Sequence, residues 1–293
     1  MIRVYTVRKK ELFQTQVNTK KEMEEVSSKN RRAWVDCADL DENERNIISD
    51  LLGVEPKTLN GMENGKIRPH YAKCLDETCP FYTWISTPVI EFTDRLKLNP
   101  MSIILKRRYL VTLRTKYSDN IVEATLRVFE ALPPAERNPT VILSKLVHEI
   151  IDENSGVMVS IRDLIDRIEM EAMEGPWKKR VTKSVFRVKR NLSTLHRLLW
   201  AEKELLSDLD LGVIPNLKLV PEAKLIIEDA EDDITRELEF VDSFNRSLDS
   251  ILRLQDLGSI HRVETNLVIL TIALVALTVI LILLEVAARI AGG

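Results

Sequence analysis

Residues 265–284 read TNLVILTIALVALTVILILL and contain no charged residue, proline or glycine. A helix rises about 1.5 Å per residue, so a stretch of this length extends roughly 30 Å, the thickness of the hydrocarbon core of a bilayer. A helix buried in a soluble core seldom lacks charge on every face over such a length. The stretch therefore predicts a transmembrane helix, which we place at residues 265–285.

Basic residues flank this stretch unequally. Three arginines precede it and one follows it: Arg246, Arg253, Arg262 and Arg289. Because an excess of basic residues marks the cytoplasmic side of a span, we expect most of the chain to be cytoplasmic. We expect a single-pass protein of the plasma membrane that contacts the lipid bilayer and ends in a short tail, residues 286–293.

A polar stripe interrupts the apolar stretch. Four residues recur every seven positions along it: Glu264, Thr271, Thr278 and Glu285. Such spacing places them on one helical face. The threonines could bond their own helix or a neighbour, with the glutamates in the headgroups. Repeated around a symmetry axis, the same stripe would form stacked polar rings lining a pore, so these four are the candidate pore-lining residues.

A long stalk helix is predicted before the span, over residues 221–264. Apolar side chains recur there every seven residues, at Ile227, Ile234, Val241 and Leu248. The first residue of the segment, Pro221, suits a first helical turn. A helix of this length with an apolar seam needs partners, which are other helices of this chain, other copies of the chain, or both.

The stalk also carries a dense acidic patch. Five carboxylates occur within six positions: Glu228, Asp229, Glu231, Asp232 and Asp233. Helical spacing puts Asp229 on one face with both Asp232 and Asp233. Oxygen ligands of this kind suit Mg²⁺ and Ca²⁺, so Asp229, Asp232 and Asp233 are the candidate metal ligands. A solvated helix start favoured by the helix dipole remains the alternative.

Residues 1–115 alternate strand and helix patterns and predict an α/β cytoplasmic domain. The predicted strands lie at 1–8, 33–37, 81–90, 101–105 and 109–114, and the predicted helices at 42–52 and 56–62. Residues 116–220 predict an all-helical domain with helices at 118–132, 139–152, 157–173 and 177–209. The expected fold class is an α+β cytoplasmic domain, an all-helical hairpin, and a very long stalk helix that continues into one transmembrane helix.

Composition and motifs exclude several classes of protein. The chain has 42 Lys and Arg against 45 Asp and Glu, so it lacks the basic excess of a nucleic-acid-binding protein. Three cysteines are too few for a disulfide framework. No phosphate-binding loop, dinucleotide fingerprint, zinc-protease motif or hydrolase nucleophile motif occurs, and the four histidines are scattered. These observations argue against an enzyme.

Short motifs in a fixed order resemble the CorA family of divalent-cation channels. They are WVD at 34–36, DENE at 41–44, LLGV at 51–54, RYLVTLR at 108–114, residues 244–254 and LTI at 270–272. The resemblance covers nearly the whole chain and implies a homopentamer whose first membrane helices line the pore. It also implies regulatory Mg²⁺ sites between cytoplasmic subunits, to which Asp229 and Asp232 correspond by helix position.

One departure from the family pattern is large. The family's first span ends in Gly-Met-Asn, whereas the matching residues here are Ala288, Arg289 and Ile290, and no second span follows. We therefore expect poor selectivity for Mg²⁺. The primary hypothesis is a CorA-like oligomeric divalent-cation channel with regulatory cation sites. The alternative is a non-conducting, tail-anchored oligomeric sensor, or a signal-responsive membrane effector, built on the same scaffold.

Overall fold

The computed structural model describes residues 1–8, 11–28, 33–64, 69–73, 82–106, 109–133, 138–173, 179–214 and 217–291. The strands are β1 (Ile2–Arg8), β2 (Glu11–Val17), β3 (Ala33–Ala38), β4 (His70–Lys73), β5 (Thr83–Phe92), β6 (Leu96–Lys106) and β7 (Tyr109–Arg114). The helices are α1 (Lys20–Ser28), α2 (Glu42–Leu52), α3 (Pro56–Glu63), α4 (Asp119–Ala131), α5 (Pro139–Met173), α6 (Lys179–Asp210) and α7 (Pro221–Ala291).

The chain forms two compact units. The first consists of Met1–Arg162 and Asn191–Ser243, and the second of Asp163–Arg190 and Phe244–Gly293. The first unit contains the whole sheet, α1 to α4, and parts of the three long helices. The expected order of an α+β region, a helical hairpin and a very long terminal helix is confirmed.

The sheet has seven strands in the order β2-β1-β3-β7-β6-β5-β4. Among these strands only β3 and β7 pair in parallel, and they lie near the centre. Both are buried along almost their full length, as expected for parallel strands covered on both faces. One face packs under α2 and α3, where Ile48, Leu52 and Leu59 join Val35 and Val111 in one apolar cluster.

A buried ion pair lies on the opposite face of the central strands. The Arg114 side chain is 0% exposed and donates from Nε and Nη2 to the two oxygens of Asp36, each at 2.8 Å. The Thr112 hydroxyl donates to Asp36 at 2.8 Å and accepts from the Trp34 indole N–H at 3.1 Å. Arg114 also pairs with Asp119 at the start of α4, at 2.7 Å. The pair therefore joins β3, β7 and α4.

Local sequence signals account for the ends of α2. The Asp41 side chain accepts from the Glu44 backbone N–H at 2.8 Å, and the Glu44 side chain accepts from the Asp41 N–H at 3.1 Å. Gly53 closes the helix with φ of 65°, a left-handed conformation that glycine adopts without strain. The prediction of a helix over residues 42–52 is confirmed.

Two helix predictions were wrong in detail. Residues 139–152 and 157–173 form one helix of 35 residues, without a break between them. The intervening Asn154 and Ser155 direct their side chains to Glu202 and Glu237, so they do not compete for the helix backbone. Val159, which lies in the second of these predicted helices, is 53% exposed. Residue 81 and Trp177, where a predicted strand and a predicted helix began, lie outside the described residues.

The long helices bury their apolar stripes, including the one predicted for the stalk. Ile227, Ile234, Val241 and Leu248 of α7 are all 0% exposed. The α6 stripe is buried as well: Val181, Val185, Val188, Leu192, Leu195, Leu198 and Leu199. The heptad pattern of the stalk is therefore satisfied at least in part within the chain itself.

We expect Arg114→Met to lower the free energy of unfolding by about 3–5 kcal/mol, because it leaves the Asp36 charge buried and unpaired. Urea denaturation of the full chain in detergent, followed by tryptophan fluorescence, measures the change. Lys20→Met is the control, since Lys20 and Asp50 pair with 63% and 57% of their side chains exposed. It should leave the unfolding midpoint nearly unchanged. Equal effects of the two variants would contradict the assigned role of the buried pair.

Candidate metal centre and membrane helix

Three potential metal ligands converge from two helices of the first unit. Asp229 and Asp233 lie four residues apart on α7 and share a face, and His148 of α5 lies opposite them. The His148 Nε2 atom is 3.2 Å from Asp229 Oδ2 and 4.0 Å from Asp233 Oδ2. One ligand atom from each of the three lies within 4.8 Å of the others. This group, His148–Asp229–Asp233, is the candidate metal centre.

Basic side chains adjoin the group on both helices. The Lys145 ammonium is 3.2 Å from His148 Nδ1 and also pairs with Glu149 at 2.8 Å. An ammonium can only donate, so Nδ1 accepts and Nε2 carries the imidazole proton toward Asp229. Arg236 pairs with Asp233 at 3.1 Å. A cation bound at Nε2 would require the other tautomer of the neutral imidazole, with the proton on Nδ1 and the Lys145 ammonium displaced from that nitrogen.

The donor set determines which cations suit the group. Two carboxylates offer hard oxygen ligands of the kind that Mg²⁺ takes. One imidazole adds a nitrogen that divalent transition metals bind more readily than Mg²⁺ does. The Asp229 side chain is 72% exposed and that of Asp233 is 28% exposed, so water can fill the remaining positions. The group fits a partly hydrated divalent cation.

Two of the three predicted ligands belong to this group. Asp229 and Asp233 are included, whereas Asp232 is exposed on α7 and lies outside it. Sequence reasoning missed His148, which is 81 residues from Asp229 in the chain. No spacing pattern within one segment could have found it, because the contact depends on how α5 packs against α7.

The candidate membrane helix is the part of α7 from Val263 to Ile282. This segment of 20 residues is long enough and apolar enough to cross a membrane, and none of it is buried within the chain. The hydroxyls of Thr271 and Thr278 donate to the backbone carbonyls of Leu267 and Leu274, each at 2.8 Å. Glu264 is exposed at the start of the segment. Glu285 falls within α7, but its side chain lies outside the described residues.

Comparison with known proteins identifies the family. A family model described as CorA-like Mg²⁺ transporter protein matches residues 29–282, which is most of the chain. The chain belongs to the CorA-like family. The resemblance drawn from the short sequence motifs is thereby confirmed.

The CorA-like relatives agree with this assignment. The chain is 24% identical over 234 residues to the cobalt/magnesium transport protein CorA of Thermotoga maritima. That match covers 78% of this chain and 64% of the relative, so the chain spans less than two thirds of the relative's length.

Solved structures show the same fold. The soluble domain of CorA from Methanocaldococcus jannaschii matches with a TM-score of 0.68 and 16% identity, covering 87% of this chain and 96% of that one. The complete CorA magnesium transporter from the same organism matches with a TM-score of 0.69 and 15% identity, covering 91% and 79%. The cytoplasmic domain of ZntB from Vibrio parahaemolyticus matches with a TM-score of 0.62 and 14% identity, covering 89% and 98%.

Millimolar Mg²⁺ or Co²⁺ should raise the melting temperature of the full chain through the candidate metal centre. A cation at 100 times its Kd stabilises the folded state by about 2.7 kcal/mol, which corresponds to several degrees. The double variant Asp229→Asn, Asp233→Asn should lose most of this shift, as measured by differential scanning fluorimetry in detergent.

Asp232→Asn is the matched control, because it removes one carboxylate from the same turn of α7 without touching the group. We expect it to retain the shift of the parent. An equal loss in Asp232→Asn and in the single variant Asp229→Asn would contradict a site within the chain, since the effect would then follow the charge of the acidic patch alone.

Proposed function

We propose that this CorA-like protein is the subunit of a homo-oligomeric divalent-cation channel or transporter of the plasma membrane, with Mg²⁺ as its cargo and most of the chain in the cytoplasm. Family membership supports transport rather than enzymatic catalysis. The cation is proposed from the relative in Thermotoga maritima, whose name is cobalt/magnesium transport protein. The observation that carries the proposal is that one helix, α7, contains both the carboxylates of the candidate metal centre and the candidate span.

The proposed path for ions follows the polar stripe of the span. In an oligomer with α7 around the axis, Thr271 and Thr278 form two hydroxyl rings, and Glu264 and Glu285 form carboxylate rings at the two ends. Hydroxyl and carboxylate oxygens are hard donors, and a ring of carboxylates concentrates cations and repels anions. The threonine hydroxyls keep a free lone pair while they donate to their own helix, so they still offer oxygen to a passing cation.

The candidate metal centre is the proposed regulatory site. With no cation, Asp229 and Asp233 repel each other on one face of α7. A divalent cation removes this repulsion and links α7 to α5 through His148. Because α7 is one helix from Pro221 to Ala291, a change in the position of its first turns is transmitted along its backbone. Bound cation would thus hold the conducting path closed.

A second candidate is a non-conducting oligomeric sensor or signal-responsive effector anchored in the membrane. One observation favours it. The hydroxyls of Thr271 and Thr278 already donate to the backbone carbonyls of Leu267 and Leu274 in their own helix. These polar groups are therefore satisfied without an ion path beside them. Such a protein would respond to cation binding at the candidate metal centre without passing ions.

Exposed apolar side chains in the second unit support self-association. Six large ones are each more than one third exposed: Met170, Met173, Phe186, Leu254, Leu257 and Ile260. Apolar surface of this extent near a span is typical of contacts between chains. A homopentamer stabilised by coiled-coil contacts between copies of α7 is the proposed assembly.

Native mass spectrometry in detergent should give a mass close to five times the 33.6 kDa of one chain. The double variant Leu254→Lys, Leu257→Lys should shift the population toward smaller species, since it places charge in the proposed contact. Val159→Lys is the control, as Val159 is also exposed but lies in the first unit. A parent that remains a monomer would contradict the assembly.

Proteoliposomes loaded with a Mg²⁺ indicator should show cation flux through the parent when the luminal and external divalent concentrations differ. Thr271→Val with Thr278→Val should lower the rate, by about fivefold for each ring lost, because a net polar contact contributes about 1 kcal/mol. Thr265→Val is the control, since it makes the same substitution at a residue outside the polar stripe. Absence of flux from the oligomeric parent in low divalent cation would favour the sensor.

A further inference from the structure

A second pair of carboxylates lies inside the first unit, away from solvent. Glu202 of α6 and Glu237 of α7 are each 3% exposed. Asn154 of α5 and Thr87 of β5 lie beside them and are 0% and 2% exposed. Four elements of the first unit therefore meet around two buried acids, and neither acid is used by the candidate metal centre.

Both glutamates replace apolar residues in helical stripes. Glu237 follows Ile234 by three residues and precedes Val241 by four, so it occupies a core-facing position of the stalk heptad. Glu202 occupies the corresponding place between Leu199 and Leu206 of α6. A carboxylate at such a position has no access to water, and a buried charge without a partner is costly.

The hydrogen bonds around the pair leave two acceptors without a donor. Glu202 accepts from the Thr87 hydroxyl at 3.2 Å and from the Asn154 amide nitrogen at 3.3 Å. Glu237 accepts from the Ser155 hydroxyl at 3.4 Å. The second oxygen of Glu237, Oε2, and the amide oxygen of Asn154 have no partner. The Asn154 amide also donates toward the Glu237 carboxylate, which lowers the pKa of that carboxyl against the larger effect of burial.

No basic side chain in the described part of the chain pairs with either acid. Lys203, next to Glu202, donates instead to the Thr235 hydroxyl at 2.9 Å. Arg236, next to Glu237, pairs with Asp233. The other residues that bond to the two acids are neutral: Thr87 on β5, and Asn154 and Ser155 on α5. Asp233, one turn before Glu237, adds a further negative charge.

A proton supplies what this arrangement lacks. It neutralises one carboxylate, and it removes the cost of burying Oε2 of Glu237 as a charged acceptor without a donor. We propose that Glu202, Glu237 and Asn154 form a buried proton-binding site, in which the unpartnered Oε2 atom of Glu237 carries the proton. Asn154 of α5 bonds to both acids, so it joins Glu202 of α6 and Glu237 of α7 around the proton. The proposal does not depend on ion transport by the chain.

The electrostatics agree with this geometry. Burial raises the pKa of Glu202 to about 8. Burial and the neighbouring Glu202 charge raise the pKa of Glu237 to about 8 as well. The ordinary pKa of a glutamate side chain is 4.5. Between about pH 4.5 and pH 8 the folded chain therefore holds protons that the unfolded chain has released. Stability is then greatest at low pH, falls as the pH rises from about 4.5 to about 8, and levels off above that.

The full chain in detergent, in buffer with a chelator, tests the site through its melting temperature between about pH 5 and pH 9. We expect the parent to lose at least about 5 °C across this range. Glu237→Gln should reduce this loss without abolishing it, since burial raises the pKa of Glu202 independently. The variant should melt above the parent at high pH, because its amide stays neutral. Glu239→Gln is the control, since Glu239 is exposed on the same helix. It should keep the slope of the parent.

A second measurement reads the proton itself. The infrared spectrum of the parent near neutral pH should contain the C=O band of a buried protonated carboxyl group, which disappears above about pH 9 and weakens in Glu237→Gln. The infrared band of the parent tests the proposal even if the variant fails to fold. Absence of the band, or an unchanged pH profile in Glu237→Gln, would overturn the proposal. So would stabilisation by K⁺ or Mg²⁺ that requires Glu237 at pH 7, since a cation would then occupy the site.

Discussion

The unbroken backbone hydrogen bonding of α7 is the constraint on which the rest of the molecule depends. A helix satisfies its own N–H and C=O groups, so one element can run from a water-exposed domain into lipid without leaving polar groups unpaired. Only its side chains have to change along the way. From Pro221 they form one buried seam, and from Val263 to Ile282 they are mostly apolar, apart from the polar stripe. The candidate metal centre and the buried proton site both lie on the seam-bearing part of this helix.

Carboxylates on α7 differ in chemistry according to their exposure. Asp229 is largely in solvent, stays available to a hydrated cation, and has the His148 imidazole 3.2 Å away. Glu237, two turns later, is enclosed by α5 and α6 and has only neutral donors and another acid beside it. Because water surrounds Asp229, this carboxylate favours an exchangeable metal ion. Because water is excluded from Glu237, that carboxylate favours a proton.

Sequence predicted the elements whose signals are local. The α2 helix was located by its own caps, Asp41 and Gly53, and the α7 seam by its heptad of apolar residues. Strand β2 was missed because it lies at the sheet edge, where most of its described side chains are exposed and the apolar alternation is weak. The Asp229 and Asp233 pair was predicted from helical spacing alone. His148 was not, since its place depends on contact between distant helices.

The buried glutamates carry a signal that sequence reasoning could have used. A charged residue within an apolar stripe, such as Glu237 between Ile234 and Val241, breaks the pattern and indicates a special environment. What the pattern could not supply is the partner, because Asn154 and Thr87 come from other elements. The Asp36 and Arg114 pair likewise joins distant strands, so the pattern of neither strand could supply its partner.

The parallel pairing of β3 with β7 has a consequence for the order in which the chain folds during synthesis. Asp36 and Arg114 are 78 residues apart, so the centre of the sheet cannot form until β7 has left the ribosome. Every residue of the first unit is nevertheless made before the apolar segment that begins at Val263. The sheet and its buried ion pair can therefore form in water while the membrane segment is still being translated. Insertion into the bilayer would then act on a chain whose first unit is already folded.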